Sequence, residues 1–421
     1  MEVPPGIVYL SKKVPRLGVP LIALYLFHLV RRAYLEIELP ARVVALSYLL
    51  CLPAVFTFYV LYHKWSTARA AASLGAVLPP TSGDDPTPGG ILTLIRAVRN
   101  FKAEYLAEGV QDKLDQIGYT FNMRVLFSDR IVTCEPEYIK AILATRFEEF
   151  EKGEDTRSAF NSLLGTGVFA ADGELWKFHR GITRPFFTKD RISHFDIFDR
   201  HADSAIAQMK RRFKEGYPVD FQDVVARFTL DSATEFLFGK DVNTLSGTLP
   251  YPFYSPLTNV ASDSSDEIRN TFVRAFNEAQ LATAIRVRFG DEWPLFEFWQ
   301  DKTKEKMKDV NRFLEPVLTE ALQRQREKGA APHLKGDREV KEGETVLDHL
   351  VNYTDDPVIL RDEIMNLAVA GRDTYPEVFR RLREEIFTKI GPDRRPTFDD
   401  FRDMKYLRAV LNEVLRLYPP V

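Results

Sequence analysis

From Val43 to Tyr62 the chain runs twenty residues without a charge. As a helix rising about 1.5 Å per residue, such a run spans roughly 30 Å, the thickness of a bilayer's hydrocarbon core. The stretch is therefore expected to be a transmembrane helix over about 43–62, with Pro53 tolerated as prolines are in membrane helices. An earlier apolar segment, Gly18 to Val30, is shorter, contains Pro20 and His28, and is bracketed by Lys12, Lys13 and Arg16 before it and Arg31 and Arg32 after it. It either lies at the interface or forms the first leg of a hairpin. Residues 1–77 are read as a membrane-anchor region. No small-residue cleavage site precedes the second apolar run, which argues against a removable leader. Basic residues are denser before the long run than after it, so one span argues for a cytosolic N-terminus. Two spans would return the chain to the side where it began and leave Arg31 and Arg32 translocated.

The remainder is expected to fold. A chain of 421 residues that is 45% hydrophobic has enough apolar mass for a large core. With 57 basic against 60 acidic residues and a net charge of −3, it lacks the electrostatic footprint of a nucleic-acid binder. Its two cysteines, Cys51 in an apolar run and Cys134 in a strand-like one, provide neither a disulfide framework nor Cys-x-x-Cys metal spacing. The bulk of the chain reads as cytosol-facing, on an endoplasmic-reticulum type of membrane.

Leu78 to Gly90 (LPPTSGDDPTPGG) concentrates proline, glycine and small polar residues and is read as a hinge over 78–90. A domain is expected over 91–421. Tyr119 to Cys134 alternates β-branched and aromatic residues around Ser128-Asp129-Arg130, which predicts a hairpin. Beyond Cys134 the pattern is mostly helical. Phe195, Phe198, Ala202, Ile206, Met209 and Phe213 recur at helical steps before Gly216, and similar stripes run from Phe221 to Gly239 and from Thr303 to Gly329. The fold class is thus mainly α with a small β-sheet, an α+β chain behind an N-terminal anchor. The histidines show no metal-ligand spacing, so no metal site is assigned, and His194 and His201 are expected on a solvated helix face.

Three short motifs carry possible chemistry. In Gly173 to Arg180 (GELWKFHR), Trp176 and Arg180 are four residues apart and so share a helix face, with His179 adjacent. The set suits an anion, or simply a stacked pair on a helix surface. Ala368 to Thr374 (AVAGRDT) sets an acid beside a hydroxyl among small residues, in a helix starting near Val358. That pair is the minimum for proton transfer. It also reads as a helix end, because Pro376 interrupts and Thr374-x-x-Glu377 is a capping box. Glu413-x-x-Arg416 places opposite charges three residues apart, as unrelated helices often do.

In chain order, LGTGVFAADGELWKFHRGITRPFF (Leu164 to Phe187), AGRDT (Ala370 to Thr374), PEVFRRLREEI (Pro376 to Ile386) and YLRAVLNEVLRLYPPV (Tyr406 to Val421) resemble the cytochrome P-450 superfamily. Within it they look closest to fungal membrane-bound alkane and fatty-acid hydroxylases. The resemblance implies a haem-thiolate monooxygenase acting on long-chain alkanes, fatty acids or similar hydrophobic substrates, with electrons from an NADPH-dependent reductase. By the same resemblance Trp176, Arg180 and, as a helper, His179 contact the haem propionates. Ala370 and Gly371 match the small residues over the iron, Asp373 and Thr374 the pair that delivers protons to oxygen, and Glu413 and Arg416 a buried structural ion pair.

Two departures shape the expectation. In the family the helix bearing the acid–alcohol pair continues for several turns, whereas here Thr374 joins almost directly to PEVFRRLREEI, which reads as an internal deletion. Nowhere does a Phe-x-x-Gly-x-Arg-x-Cys-x-Gly sequence provide the axial cysteine, so the 91–421 domain reads as partial and C-terminally truncated. Because the thiolate fixes the iron and drives oxygen cleavage, the polypeptide as written is expected to be inactive, with haem binding in doubt. The alternative is a non-catalytic, membrane-anchored helical protein that binds lipid or a partner.

Overall fold

The computed structural model of the chain describes residues 3–83, 85–103, 110–187, 196–257, 264–327 and 344–369, with 386, 388–390, 394, 397–405, 407–409 and 411–412. These divide into two compact units, one of Met1–Phe150 with Arg288–Asp301 and one of Glu151–Val287 with Lys302–Val421.

The first unit begins with two long helices, α1 (Pro5–Tyr34) and α2 (Ala41–Ser73), which pack against each other. Both are long and apolar enough to cross a membrane. The second covers the expected run and extends it at both ends. The first is much longer than Gly18–Val30, because Lys12, Lys13 and Arg16 do not break a helix. Pro5 is favoured in its first turn, and Arg31 and Arg32 in its last turn complement the helix dipole. Its start is held to the second segment of the same unit, where the Gly6 amide donates to the Phe298 carbonyl at 3.0 Å and Lys13 pairs with Asp291 at 2.8 Å.

Part of the Leu78–Gly90 stretch, expected to be a hinge, makes backbone contacts to Asn122. Asn122 donates its amide to the Pro80 carbonyl, Ser82 donates back to Asn122, and Thr81 forms a parallel bridge with Asn122. Proline lacks a donor but keeps its acceptor, and that suffices for an edge contact. The hairpin is present as β1 (Thr120–Val125) paired antiparallel with β2 (Ser128–Thr133). Its turn is Leu126-Phe127, both at positive φ, rather than Ser128-Asp129-Arg130. Those three residues are strand because Asp129 accepts from Asn122 and Arg124 across the ladder, while the Phe127 amide reaches the Gly89 carbonyl. Helices α3 (Ile91–Ala103), α4 (Val110–Ile117) and α5 (Pro136–Lys140) follow in this unit, and its second segment carries a further helical turn, Trp293–Phe296.

The second unit is helical: α6 (Gly153–Leu164), α7 (Gly173–Thr183), α8 (Asp196–Lys214), α9 (Phe221–Phe238), α10 (Ser264–Phe289, its last two residues in the first unit), α11 (Lys302–Glu327), α12 (Val346–Leu350), α13 (Pro357–Val369) and α14 (Phe398–Asp403). Its core gathers Leu237 and Phe238 of α9, Phe276 of α10, Leu314 of α11, Leu350 of α12 and Ile364 of α13. Helix α9 shows why the stripe pattern was readable. Asp220 accepts from the Gln222 and Asp223 amides at its start, and Gly239 takes the left-handed conformation at its end. Among the described residues the mainly helical class with one two-stranded sheet holds.

His201 corrects an expectation. It is buried, not solvated, with Nε2 2.8 Å from Glu235 of α9, and the other Glu235 oxygen accepts from Arg200 at 2.6 Å. The partner that pulls it inward lies on the neighbouring helix, beyond the reach of a periodicity argument. His194 lies outside the described residues.

Candidate functional site

Helix α7 is set in place from both ends. Asp172, at its N-cap position, does not cap it. The carboxylate instead accepts from the Lys152 and Gly153 amides and from Arg157, tying the helix start to α6. At the far end Thr183 donates to the His179 carbonyl at 2.9 Å. His179, Ile182 and Thr183 form the buried face. Trp176 and Arg180 sit about 40° apart around the helix axis, at the margin of that face. Trp176 is half-buried and Arg180 exposed, and among the described residues no carboxylate pairs with Arg180.

Helix α13 supplies the wall behind α7. It is buried almost all round, polar residues included: Asp362, Glu363 and Asn366 are each at most 1% exposed. Asp362 and Asn366, four apart and hence on one face, hold the loop between α6 and α7. Asp362 accepts from the Thr166 amide at 2.8 Å; Asn366 accepts from the Phe169 amide at 2.8 Å and donates to the Leu164 carbonyl at 2.8 Å. The approach is close enough to require glycine. A Cβ on Gly165, which has φ +54°, would meet the Asp362 carboxylate, and one on Gly167 would meet the Asn366 amide.

Glu363 meets His179. Nδ1 of His179 lies against a Glu363 carboxylate oxygen, with both side chains wholly buried. The two side chains meet as a close charge contact, and none of their four polar atoms, Nδ1 and Nε2 of His179 and both Glu363 oxygens, makes a hydrogen bond of ordinary geometry among the described residues. The pair bolts α7 to α13 directly beneath the turn that carries Trp176 and Arg180.

Of the expected site residues, the structure thus brings Trp176 and Arg180 to one helix margin and turns His179 inward, to a partner that sequence reasoning did not identify. Ala370, Gly371, Asp373, Thr374, Glu413 and Arg416 lie outside the described residues. Asp362, Glu363 and Asn366 were missed, although acidic and amide residues inside the apolar run LRDEIMNLAV were a signal, since such groups are buried only with partners. One cluster of possible metal ligands occurs among the described residues: His201, Glu235 and Asp241. Arg200 and His201 already occupy both Glu235 oxygens, so it reads as an ion-pair group. Burial pushes the Glu235 carboxyl up, but those two donors outweigh it and hold it below the usual carboxylate range.

Chemically, the α7 margin offers donors only. An indole N–H and a guanidinium fork have no basic site to take a proton, and they suit a carboxylate or another oxyanion.

The profile described as Cytochrome P450 matches residues 102–421. The chain is 34% identical over 388 residues to "Cytochrome P450 52A12" of Debaryomyces hansenii, covering 86% of this chain and 70% of that protein. It is 32% identical over 396 residues to "Cytochrome P450 52-E3" of Starmerella bombicola, covering 90% and 70%. It is 33% identical over 397 residues to "Cytochrome P450 monooxygenase g430" of Fusarium sp, covering 87% and 67%. Among solved structures, the one titled "Crystal structure of cytochrome P450DA heme domain" superposes with a TM-score of 0.54 at 15% identity, over 81% of this chain and 70% of that one, a likeness of fold.

Proposed function

The chain belongs to the cytochrome P450 family, the haem-thiolate monooxygenases, and on that premise we propose that the α7 margin is its haem-propionate grip. Trp176 and Arg180 are the donors, and His179 acts through Glu363 to fix the helix that presents them. The donor chemistry fits, because propionates are acceptors only and a guanidinium is charged at every physiological pH. When bound, the haem supplies dioxygen activation, with a cysteine thiolate pushing electron density toward O–O cleavage. For the iron itself the described residues do not fit. Cys51 is inside α2, and Cys134 is an exposed residue following β2. The thiolate has to come from a residue other than these two.

Asp373 and Thr374 are assigned to proton delivery, Ala370 and Gly371 to the wall over the iron, and Glu413 and Arg416 to a structural pair, all on the family motif. The substrate class is long-chain alkanes, fatty acids or similar hydrophobic molecules, and the redox partner an NADPH-dependent reductase. Helices α1 and α2 form a membrane hairpin that leaves the rest of the chain on the N-terminal, cytosolic side of the endoplasmic reticulum. The support for a hairpin is that the start of α1 is held to Phe298 and Asp291 of the same unit as α2.

The observation that carries the reading is the shared margin of Trp176 and Arg180 above a helix face fixed by His179 and Glu363. Haem titration of the detergent-solubilised chain tests it. Charge-assisted hydrogen bonds contribute about 1.5–3 kcal/mol each, so Trp176→Phe combined with Arg180→Gln should weaken haem binding about tenfold or more while circular dichroism stays unchanged. Equal affinity in the double variant would sink the assignment.

A further inference from the structure

The turn between α1 and α2 borders an open cavity of about 410 Å³, lined by Tyr25, His28, Arg31, Arg32, Glu38 and Tyr48 among others. Arg31 lines it although only 9% exposed. One end of its guanidinium closes the turn by donating from Nη1 to the Ile37 carbonyl at 2.6 Å, while its Nε is buried without a partner. Arg32 follows it, exposed. His28 is held by Ser47 at 2.9 Å, and because the Ser47 hydroxyl already donates to the Val44 carbonyl at 2.7 Å, the ring nitrogen is the donor there. The lining therefore carries two permanent positive charges against the single carboxylate of Glu38.

This is a poor place for unmatched guanidinium groups. Arg31 lies about 27 Å along the helix from Lys13, roughly one hydrocarbon thickness, and Lys13 is engaged by Asp291 near the start of α1. With α1 and α2 both spanning the bilayer, the turn sits in the headgroup layer of the opposite leaflet. A buried, unpaired cationic nitrogen is costly there. The bland account, in which Arg31 merely closes the turn and favours the α1 C-terminus, leaves its Nε unsatisfied and the cavity unexplained. A phosphate oxyanion in the cavity would balance the lining's two guanidinium groups, which face the single Glu38 carboxylate, since arginine binds phosphate through parallel N–H donors. Tyr25 and Tyr48 beside it are residues that favour the interface.

We propose that the α1–α2 turn is a phosphate-binding site, in which Arg31 and Arg32 clasp the phosphate of a membrane phospholipid. The site makes the translocation of two arginines compatible with a hairpin anchor, because the bound lipid neutralises them. A free phosphate ion presents the same chemistry, and the test separates the two sources.

Native mass spectrometry of the full detergent-solubilised chain, with added dioleoyl phosphatidic acid, dioleoyl glycerol or inorganic phosphate, reads the site directly. One phosphatidic acid per chain should be retained, with dioleoyl glycerol retained at least tenfold more weakly. Arg32→Gln, an exposed position outside the turn's hydrogen bond, and Arg31→Gln should each lower retention severalfold, and Arg31→Lys should restore part of it. Equal retention of the two lipids, or wild-type retention by both Gln variants, overturns the proposal. Displacement of phosphatidic acid by an equal concentration of inorganic phosphate assigns the site to the free ion and overturns the lipid source. Labelling Glu36→Cys with a membrane-impermeant maleimide, in a background with Cys51 and Cys134 changed to Ser, tests the hairpin separately. Labelling on the same side as the rest of the chain, with lipid retention intact, would reject the two-span arrangement and leave the phosphate site standing.

Discussion

His179 of α7 and Glu363 of α13 meet nitrogen to carboxylate oxygen in a position where neither side chain has any exposed surface. Deleting one member leaves the other buried and uncompensated, which in comparable pairs costs about 3–5 kcal/mol, whereas replacing both with apolar residues of similar size is close to neutral. Urea unfolding of the solubilised chain should therefore show Glu363→Leu and His179→Phe each strongly destabilising, and the double variant more stable than either. Additive losses would show that the two side chains do not act as a pair.

Gly165 is expected to resist substitution. Its φ of +54° and ψ of −128° fall where a side chain is strained, and the added carbon would strike the Asp362 carboxylate. Gly165→Ala should lower stability by about 1–3 kcal/mol. It should also release the loop that Asp362 and Asn366 hold, raising hydrogen exchange at the Thr166 and Phe169 amides. Unchanged exchange at those two amides would contradict the clamp.

Glu235 sets an acid limit. Burial raises its pKa, but hydrogen bonds from Arg200 and His201 bring it below the ordinary value. A depressed carboxylate contributes stability above the unfolded-state pKa, about 4.3, and loses it as the pH falls through the lower folded-state value. The stability difference between wild type and Glu235→Gln should thus be full near neutrality and shrink below about pH 4. A difference that grows on acidification would reverse the sign of this account. The effect is modest, since the Arg200 side chain is 61% exposed and solvent screens its contribution.

What the sequence reveals depends on the range of the interactions. Helix α9 was legible because its stripe, Asp220 and Gly239 are neighbours along the chain. That Trp176 and Arg180 share one helix margin was legible for the same reason. The hairpin was legible but its turn was misplaced, because Asp129 is held in β2 by Asn122 and Arg124 from the facing strand. His201 misled because it is drawn inward by Glu235, and the Glu363 partner of His179 was not legible, both carboxylates lying on other helices. The contacts of the Leu78–Gly90 segment with Asn122 were not legible, because nothing in its own residues announces that partner.

The question at the centre is the source of the sulfur on the iron. The direct measurement is the absorbance of the Met1–Val421 polypeptide, supplied with haem, reduced and exposed to carbon monoxide. Haem retained through Trp176 and Arg180, without the red-shifted Soret band of thiolate ligation, is the predicted result. A clear red-shifted band, abolished by Cys51→Ser or Cys134→Ser, would contradict it.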